Sequence, residues 1–221
     1  MIADRYHQHG LRANPFAVPQ PVPSQPGSFI DRGLPDPPGA SSATLVQVIG
    51  DKGAGKSTQV FEWQRREPGP YHYVPPRPYR SRWARPPIAD LVYADEIDRM
   101  PVPLRSRWFR KLAVTGATVV AGTHVNLASV AHRAGLAVVT HRLGPASVAT
   151  VRAVLEARVL QASIVDVTSS FRLTNADIVD LHARSQGSLR TAEVLAHELV
   201  AQRVHAEVMP TSNIALKVAQ L

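Results

Sequence analysis

Residues 48–58 read VIGDKGAGKST, and no other stretch restricts the fold of this chain as strongly. Gly50, Gly55, Lys56 and Ser57 stand at the spacing GxxxxGK[ST], with Gly53 inside the run and Thr58 just after it. Glycines so spaced let consecutive backbone N–H groups turn inward around phosphate oxygens, and a helix that begins at the lysine directs its positive end at them. The flanks agree. TLVQVIG (44–50) is a short β-rich run, and KSTQVFEWQRRE (56–67) has a helix-compatible composition. The spacing therefore predicts that Gly50, Asp51, Lys52, Gly53, Ala54, Gly55, Lys56, Ser57 and Thr58 hold the phosphates of a nucleotide. Lys56 would reach the β and γ phosphates, and Ser57 would ligate Mg²⁺.

Downstream, apolar strand-like runs alternate with helical ones. YHYVPP (71–76) and LVYADEID (91–98) read as strands, followed by a helix over about 103–114. TVVAGTH (118–124), a helix near 126–134 and LAVVTHRLG (136–144) continue the pattern. Such alternation predicts an α/β fold: a three-layer αβα sandwich around a mainly parallel sheet, with its site at the carboxyl ends of the strands. After Leu143 three helical segments follow in a row, with Thr174 as an N-cap, which predicts a small C-terminal helical lid. The expected division is a Pro-rich, largely irregular arm (1–43), a P-loop core (44–144), the lid (145–208) and a tail (209–221).

Two strand ends carry further polar groups. LVYADEID places Asp95 and Glu96 just past apolar residues, where Asp95 would hold the magnesium shell and Glu96 would orient or deprotonate water. Asp98 is positioned to cap the next helix. The following strand ends in Gly122, Thr123 and His124; Thr123 is the first choice to face the γ phosphate, with His124 in reserve.

Taken together, these motifs resemble the AAA+ branch of P-loop ATPases over roughly residues 44–200. HRLGPASVATVRAVLEARVL and LTNADIVDLHARSQGSLRTAEVLAHEL look like the lids of secretion-pathway, transposition-accessory and origin-recognition ATPases. The resemblance implies ATP and Mg²⁺ as ligands, ATP hydrolysis, and coupling of nucleotide state to a protein or nucleic-acid partner through lid motion and assembly. It implies a sensor-2 arginine at Arg190, and Arg133 is the candidate for an arginine finger. Two departures stand out: the stretch between Lys56 and Asp95 is short and rich in proline and arginine, and no winged-helix segment follows the lid. A small-molecule or nucleotide kinase, or a nucleotide-binding scaffold with negligible turnover, uses the same loop and remains an alternative. A GTPase fits less well, since no NKxD-like motif is present and TNAD (174–177) lacks the lysine.

Composition narrows the remaining chemistry. The absence of cysteine removes disulfides, thiolate catalysis and cysteine-ligated zinc, and the nine histidines form no HExxH helix. No apolar run approaches the roughly 18 residues of a membrane span, and MIADRYHQHG lacks a basic-then-apolar order, so a cytoplasmic protein is expected. The formal charge of +8 favours anionic partners. Arg77, Arg80, Arg82 and Arg85 interleave with Tyr79 and Trp83, while Arg105, Arg107, Arg110 and Lys111 surround Trp108 and Phe109. These stretches would serve either as a nucleic-acid surface or as a solvated, subunit-facing rim whose rings anchor in the core.

Overall fold

A computed structural model of the chain describes residues 2–17, 29–40, 42–76, 85–164 and 171–206. The chain divides into two compact units, Pro21–Ala146 and Met1–Gln20 with Ser147–Leu221.

The first unit is built on five strands: β1 (Thr44–Gly50), β2 (Tyr71–Tyr73), β3 (Leu91–Asp95), β4 (Thr118–Thr123) and β5 (Ala137–Leu143). Every pairing is parallel, in the order β2-β3-β4-β1-β5. The helices are α2 (Lys56–Arg66), α3 (Val102–Thr115) and α4 (Ala128–Ala134), α1 (Ile2–Gln8) belonging to the other unit. Strand periodicity sorts the side chains between two cores. Val46, Val48, Tyr93 and Val120 meet Val60 and Trp63 of α2 on one face. Leu45, Val92, Ala94, Val119 and Ala121 meet Trp108, Phe109 and Leu112 of α3 and Ala131 of α4 on the other. This is the three-layer α/β arrangement that the sequence predicts.

Element ends shift little from the sequence expectation. β2 stops at Tyr73, although Val74 N–H still donates to Asp95 O at 3.0 Å; Pro75 and Pro76 have no N–H with which to extend the ladder. α4 begins only at Ala128, because the Asn126 side chain accepts from Ala128 N–H at 2.9 Å and holds the preceding turn. Gln47, fully buried in β1, has both ends satisfied. Its Nε2 donates to Asn126 Oδ1 and Thr140 Oγ1, each at 2.8 Å, and its Oε1 accepts from Leu127 N–H at 2.8 Å. The loop after β4 is thereby tied to the neighbouring strand β1. Residues 77–84 of the connection between β2 and β3, where a long helix is not expected, lie outside the described residues.

Asp98 does not cap α3. It lies in a 3₁₀ turn (Ile97–Arg99), and Pro101 is the N-cap residue, with no side-chain cap bond. Residues 29–40 run irregularly along the first unit, as the prolines predict. Arg32 donates to Ala54 O and Gly144 O, both at 3.3 Å, and Arg66 pairs with Asp36 at 2.9 Å.

The second unit contains α1 (Ile2–Gln8), α5 (Val148–Ala162), α6 (Asn175–Ser185) and α7 (Leu189–Ala206). α1 departs from the irregular arm expected there. The segment after it is stitched down by backbone bonds, Arg12 N–H to Ala162 O at 2.8 Å and Ile164 N–H to Gly10 O at 2.9 Å. Leu11, Phe16, Val151, Leu155, Ile178, Leu181, Ala196 and Val200 are buried. Thr174 caps α6 in a capping box with Asp177, whose carboxylate also takes a bidentate pair from Arg203 at 2.6 and 2.8 Å. Among the described residues no helix is long and apolar enough to cross a membrane.

Candidate functional site at the strand ends

The loop between β1 and α2 holds Gly53 and Gly55 at φ +87° and +97°, a backbone region that side chains with a Cβ strongly disfavour. Gly55 is the N-cap of α2, so no side chain bonds its first turn, and that turn carries no acidic residue. The amino end of α2 therefore keeps its positive potential for an external anion. Within the loop Ala54 is buried, Asp51, Lys52 and Thr58 are exposed, and Lys56 is only 5% exposed.

Lys56 Nζ donates to Gly50 O at 2.8 Å and Asp51 O at 3.0 Å, and lies 3.4 Å from His124 Nδ1. Burial pulls its pKa below the ordinary 10.5, while Glu96, Asp95, Asp98 and Asp51 oppose that shift. Ser57 Oγ donates to Asp95 Oδ2 at 2.6 Å, joining α2 to the tip of β3 across 38 positions of sequence. Asp95 is 3% exposed, and burial raises its pKa, with Glu96 adding to the rise and Ser57 and Lys56 pulling it down. Tyr71 OH also reaches Asp95 Oδ2, at 3.4 Å, and its own pKa is pushed far upward, first by burial and then by Asp95.

Strand order explains why these groups converge. β4 lies between β1 and β3, so any side chain at its carboxyl end on the α2 face would separate Asp95 from the loop. Gly122 occupies that place. A Cβ there would lie 2.3 Å from Asp95 Oδ1, so the carboxylate reaches Ser57 only because Gly122 has no side chain. A glycine inside an apolar strand run was the visible sign of such a close approach.

Glu96 is the first residue past β3 and takes a left-handed conformation, φ 59° and ψ 31°, at a cost of roughly 1–2 kcal/mol for a residue with a side chain. Its N–H bonds to Gly122 O at 2.9 Å and Asp95 Oδ1 at 3.1 Å. Its carboxylate faces two cation-capable groups: Oε2 lies 3.1 Å from His124 Nε2 and 3.2 Å from Arg99 Nη2. A neutral His124 protonated on Nε2 satisfies both of its contacts, accepting from Lys56 and donating to Glu96. Thr123, by contrast, is fully buried and exchanges hydrogen bonds with Val125, donating to its O at 3.0 Å and accepting from its N–H at 3.2 Å. At the end of β4 it is His124 that borders Lys56 and Glu96.

Other expected residues stand elsewhere. Arg190 is exposed in the first turn of α7, in the helical unit, and Arg133 is exposed at the end of α4. Arg105, expected on a nucleic-acid surface, is instead buried: its Nη1 donates to the carbonyls of Ile97, Asp98 and Met100 at 3.3, 3.0 and 3.4 Å. It ties the 3₁₀ turn to α3, which withdraws it from any phosphate. Trp108 and Phe109 are buried as well, so these rings anchor in the core. Arg85, Arg107 and Arg110 are exposed, and Arg77, Tyr79, Arg80, Arg82 and Trp83 lie outside the described residues.

A parallel sheet in this order, with a glycine loop leading from β1 into α2 and carboxylates at the tip of β3, is the P-loop α/β fold. Solved structures agree. Two single-substitution variants of RuvB from Thermotoga maritima superpose with TM-scores of 0.51 and 0.53, at 14% and 13% sequence identity. In both cases the match covers 74% of this chain and 56% of the RuvB chain, so the likeness spans little more than half of RuvB. No protein-family model matches the sequence, and no curated protein is found as a relative.

Proposed function

We propose that this chain is an ATP-binding and ATP-hydrolysing module of the AAA+ type. The observation that carries the reading is the Ser57–Asp95 hydrogen bond at 2.6 Å beside the buried ammonium of Lys56, which brings the glycine loop and the β3 tip into one constellation.

The residues present fit a magnesium nucleotide. An uncapped helix start, a buried lysine and a hydroxyl–carboxylate pair form an oxygen donor set suited to a hard cation that keeps several waters. Ser57 and Asp95 would hold Mg²⁺, whose contribution when bound is to neutralise charge on the β and γ phosphates. Residues 50–58 would bind the phosphates through backbone N–H groups, and Lys56 would turn from the Gly50 and Asp51 carbonyls toward them. Glu96 would orient the attacking water and accept its proton as the water oxygen bonds to the terminal phosphorus and the bond from that phosphorus to the β–γ bridging oxygen breaks, ADP leaving with the electron pair. His124, rather than Thr123, is assigned the polar position at the end of β4, because it already bridges Lys56 and Glu96. For Arg190 and Arg133 the roles implied by the resemblance stand as proposals, tested by Arg190→Ala and Arg133→Ala.

The experiment pairs ATP binding with ATP turnover in the full chain, Lys56→Ala and Glu96→Gln. Loss of binding in the first and retained binding with turnover reduced about 100-fold or more in the second would support the reading. Turnover unchanged by Glu96→Gln would sink the hydrolytic role. ATP binding with no turnover in the parent chain would mark a scaffold, and phosphate delivered to an acceptor other than water would mark a kinase.

A further inference from the structure

α3 presents a basic face that the described residues leave without counter-charge. Arg107, Arg110, Lys111 and Val114 recur at three- and four-residue spacing and so share one side of the helix. Nothing acidic occurs in VPLRSRWFRKLAVT, and Arg105, Trp108, Phe109 and Leu112 face the interior. Beside the basic side runs the segment entering β3, held to the helix by Trp108 Nε1 donating to Pro87 O at 3.0 Å. Between the two lies a groove of about 600 Å³, lined by Ile88, Arg107, Arg110, Lys111, Val114 and Thr115. Val114 is 88% exposed and Ile88 44%. Among the described residues no carboxylate pairs with Arg107, Arg110 or Lys111.

Single exposed apolar side chains need no explanation, but here two of them share a groove with the aliphatic stems of three cations. An occupant must therefore satisfy two demands at once. It needs an apolar group to cover Ile88 and Val114, and anions to meet guanidinium and ammonium heads that binding would desolvate. Among the described residues a nucleic-acid strand meets only the second: its phosphates would pair with the cations, but Trp108 and Phe109 are buried and no ring lines the groove for a base. A protein segment with a bulky apolar side chain flanked by Asp or Glu meets both.

We propose that this groove docks an acidic segment of a partner protein, with one apolar side chain seated between Ile88 and Val114 and carboxylates on Arg107, Arg110 and Lys111. The apolar contact supplies affinity, and the charges supply steering and selection against basic or neutral segments.

The test pans a display library of random short peptides against the full chain, with counter-selection on the triple variant Arg107→Glu, Arg110→Glu, Lys111→Glu. Enriched peptides are expected to carry net negative charge and a large apolar residue. Their affinity should fall about tenfold or more in the triple variant, and severalfold in Val114→Ser or Ile88→Ser, which leave the charge unchanged. These side chains are exposed, so unchanged melting temperatures verify that each variant is folded. No enrichment that depends on the basic residues, or enriched peptides without acidic residues, would overturn the proposal. So would a short oligothymidine strand that binds and responds to charge reversal but not to Val114→Ser, an outcome that reassigns the groove to nucleic acid.

Discussion

The carboxylate of Asp95 reaches Ser57 through space that any side chain on Gly122 would fill, and Gly122→Ala tests whether that passage matters. The added Cβ would sit 2.3 Å from Asp95 Oδ1 and 3.4 Å from Asp95 Cγ, whereas carbon and oxygen ordinarily approach no closer than about 3.3 Å. Lys56 Cβ, at 3.7 Å, is not in the way. The strain therefore falls on the carboxylate, which must swing outward by roughly 1 Å, enough to break a hydrogen bond of ordinary length. Asp95 is held by Ser57 Oγ at 2.6 Å and Glu96 N–H at 3.1 Å, so this rotation is not free. Losing one hydrogen bond to a charged group costs about 1.5–3 kcal/mol, equivalent to a factor of roughly 10 to 150. That factor should appear in the magnesium concentration needed for half-maximal ATP turnover, measured with and without the substitution. The fold should persist, with melting lowered by about 3–12 °C, which is what a loss of about 1.5–3 kcal/mol does to a domain of this size. Wild-type turnover with unchanged magnesium dependence would refute the geometric reasoning. Nucleotide binding lost equally with and without magnesium would place the damage in the loop instead.

Four further substitutions separate structural from chemical roles. Arg105→Met should destabilise the fold by about 2–4 kcal/mol, because the carbonyls of Ile97, Asp98 and Met100 lose a shared buried donor; a normal melting curve would contradict this. His124→Ala should lower turnover about 10- to 100-fold, while Thr123→Ala should cost mainly about 1 kcal/mol of stability through its bonds to Val125; the reverse ordering in kinetic and melting data would restore Thr123 to the site. Asp95 yields a pH signature. Burial raises its folded-state pKa above the ordinary 3.8, so the folded chain binds this proton more tightly than the unfolded chain, and the resulting stability is complete below pH 3.8 and is lost as pH rises through the raised value. Asp95→Asn never carries that charge and should melt higher than the parent chain at neutral pH, with the gap closing in acid; equal melting at pH 7 would contradict the burial argument.

The glycine loop between β1 and α2, the strand ends and the three C-terminal helices were legible in the sequence because each rests on local spacing. Gly53 and Gly55 adopt the positive φ that the motif needs, and Thr174 caps α6 with Asp177 at the third helical position. α1 was hidden among the features of a proline-rich arm, although no proline falls within Ile2–Gln8. Arg105 and Arg107 look alike as residues in a basic run. Their fates differ because they are two positions apart on a helix, one turned toward the carbonyls of the 3₁₀ turn and the other toward solvent.

By itself the sequence determined which groups could do chemistry here: a lysine and a serine at a helix start, two carboxylates at a strand end and a polar pair at another. Only the tertiary structure decided which of them meet. Placing β4 between β1 and β3 made Gly122 the opening through which Asp95 reaches Ser57. The pleat of β4 buried Thr123, leaving His124, the first residue beyond the strand, to bridge Lys56 and Glu96. Strand neighbours follow from burying both faces of the whole sheet at once, and the direction of a side chain at a strand end depends on where the pleat stops; neither is encoded in the few residues around the site.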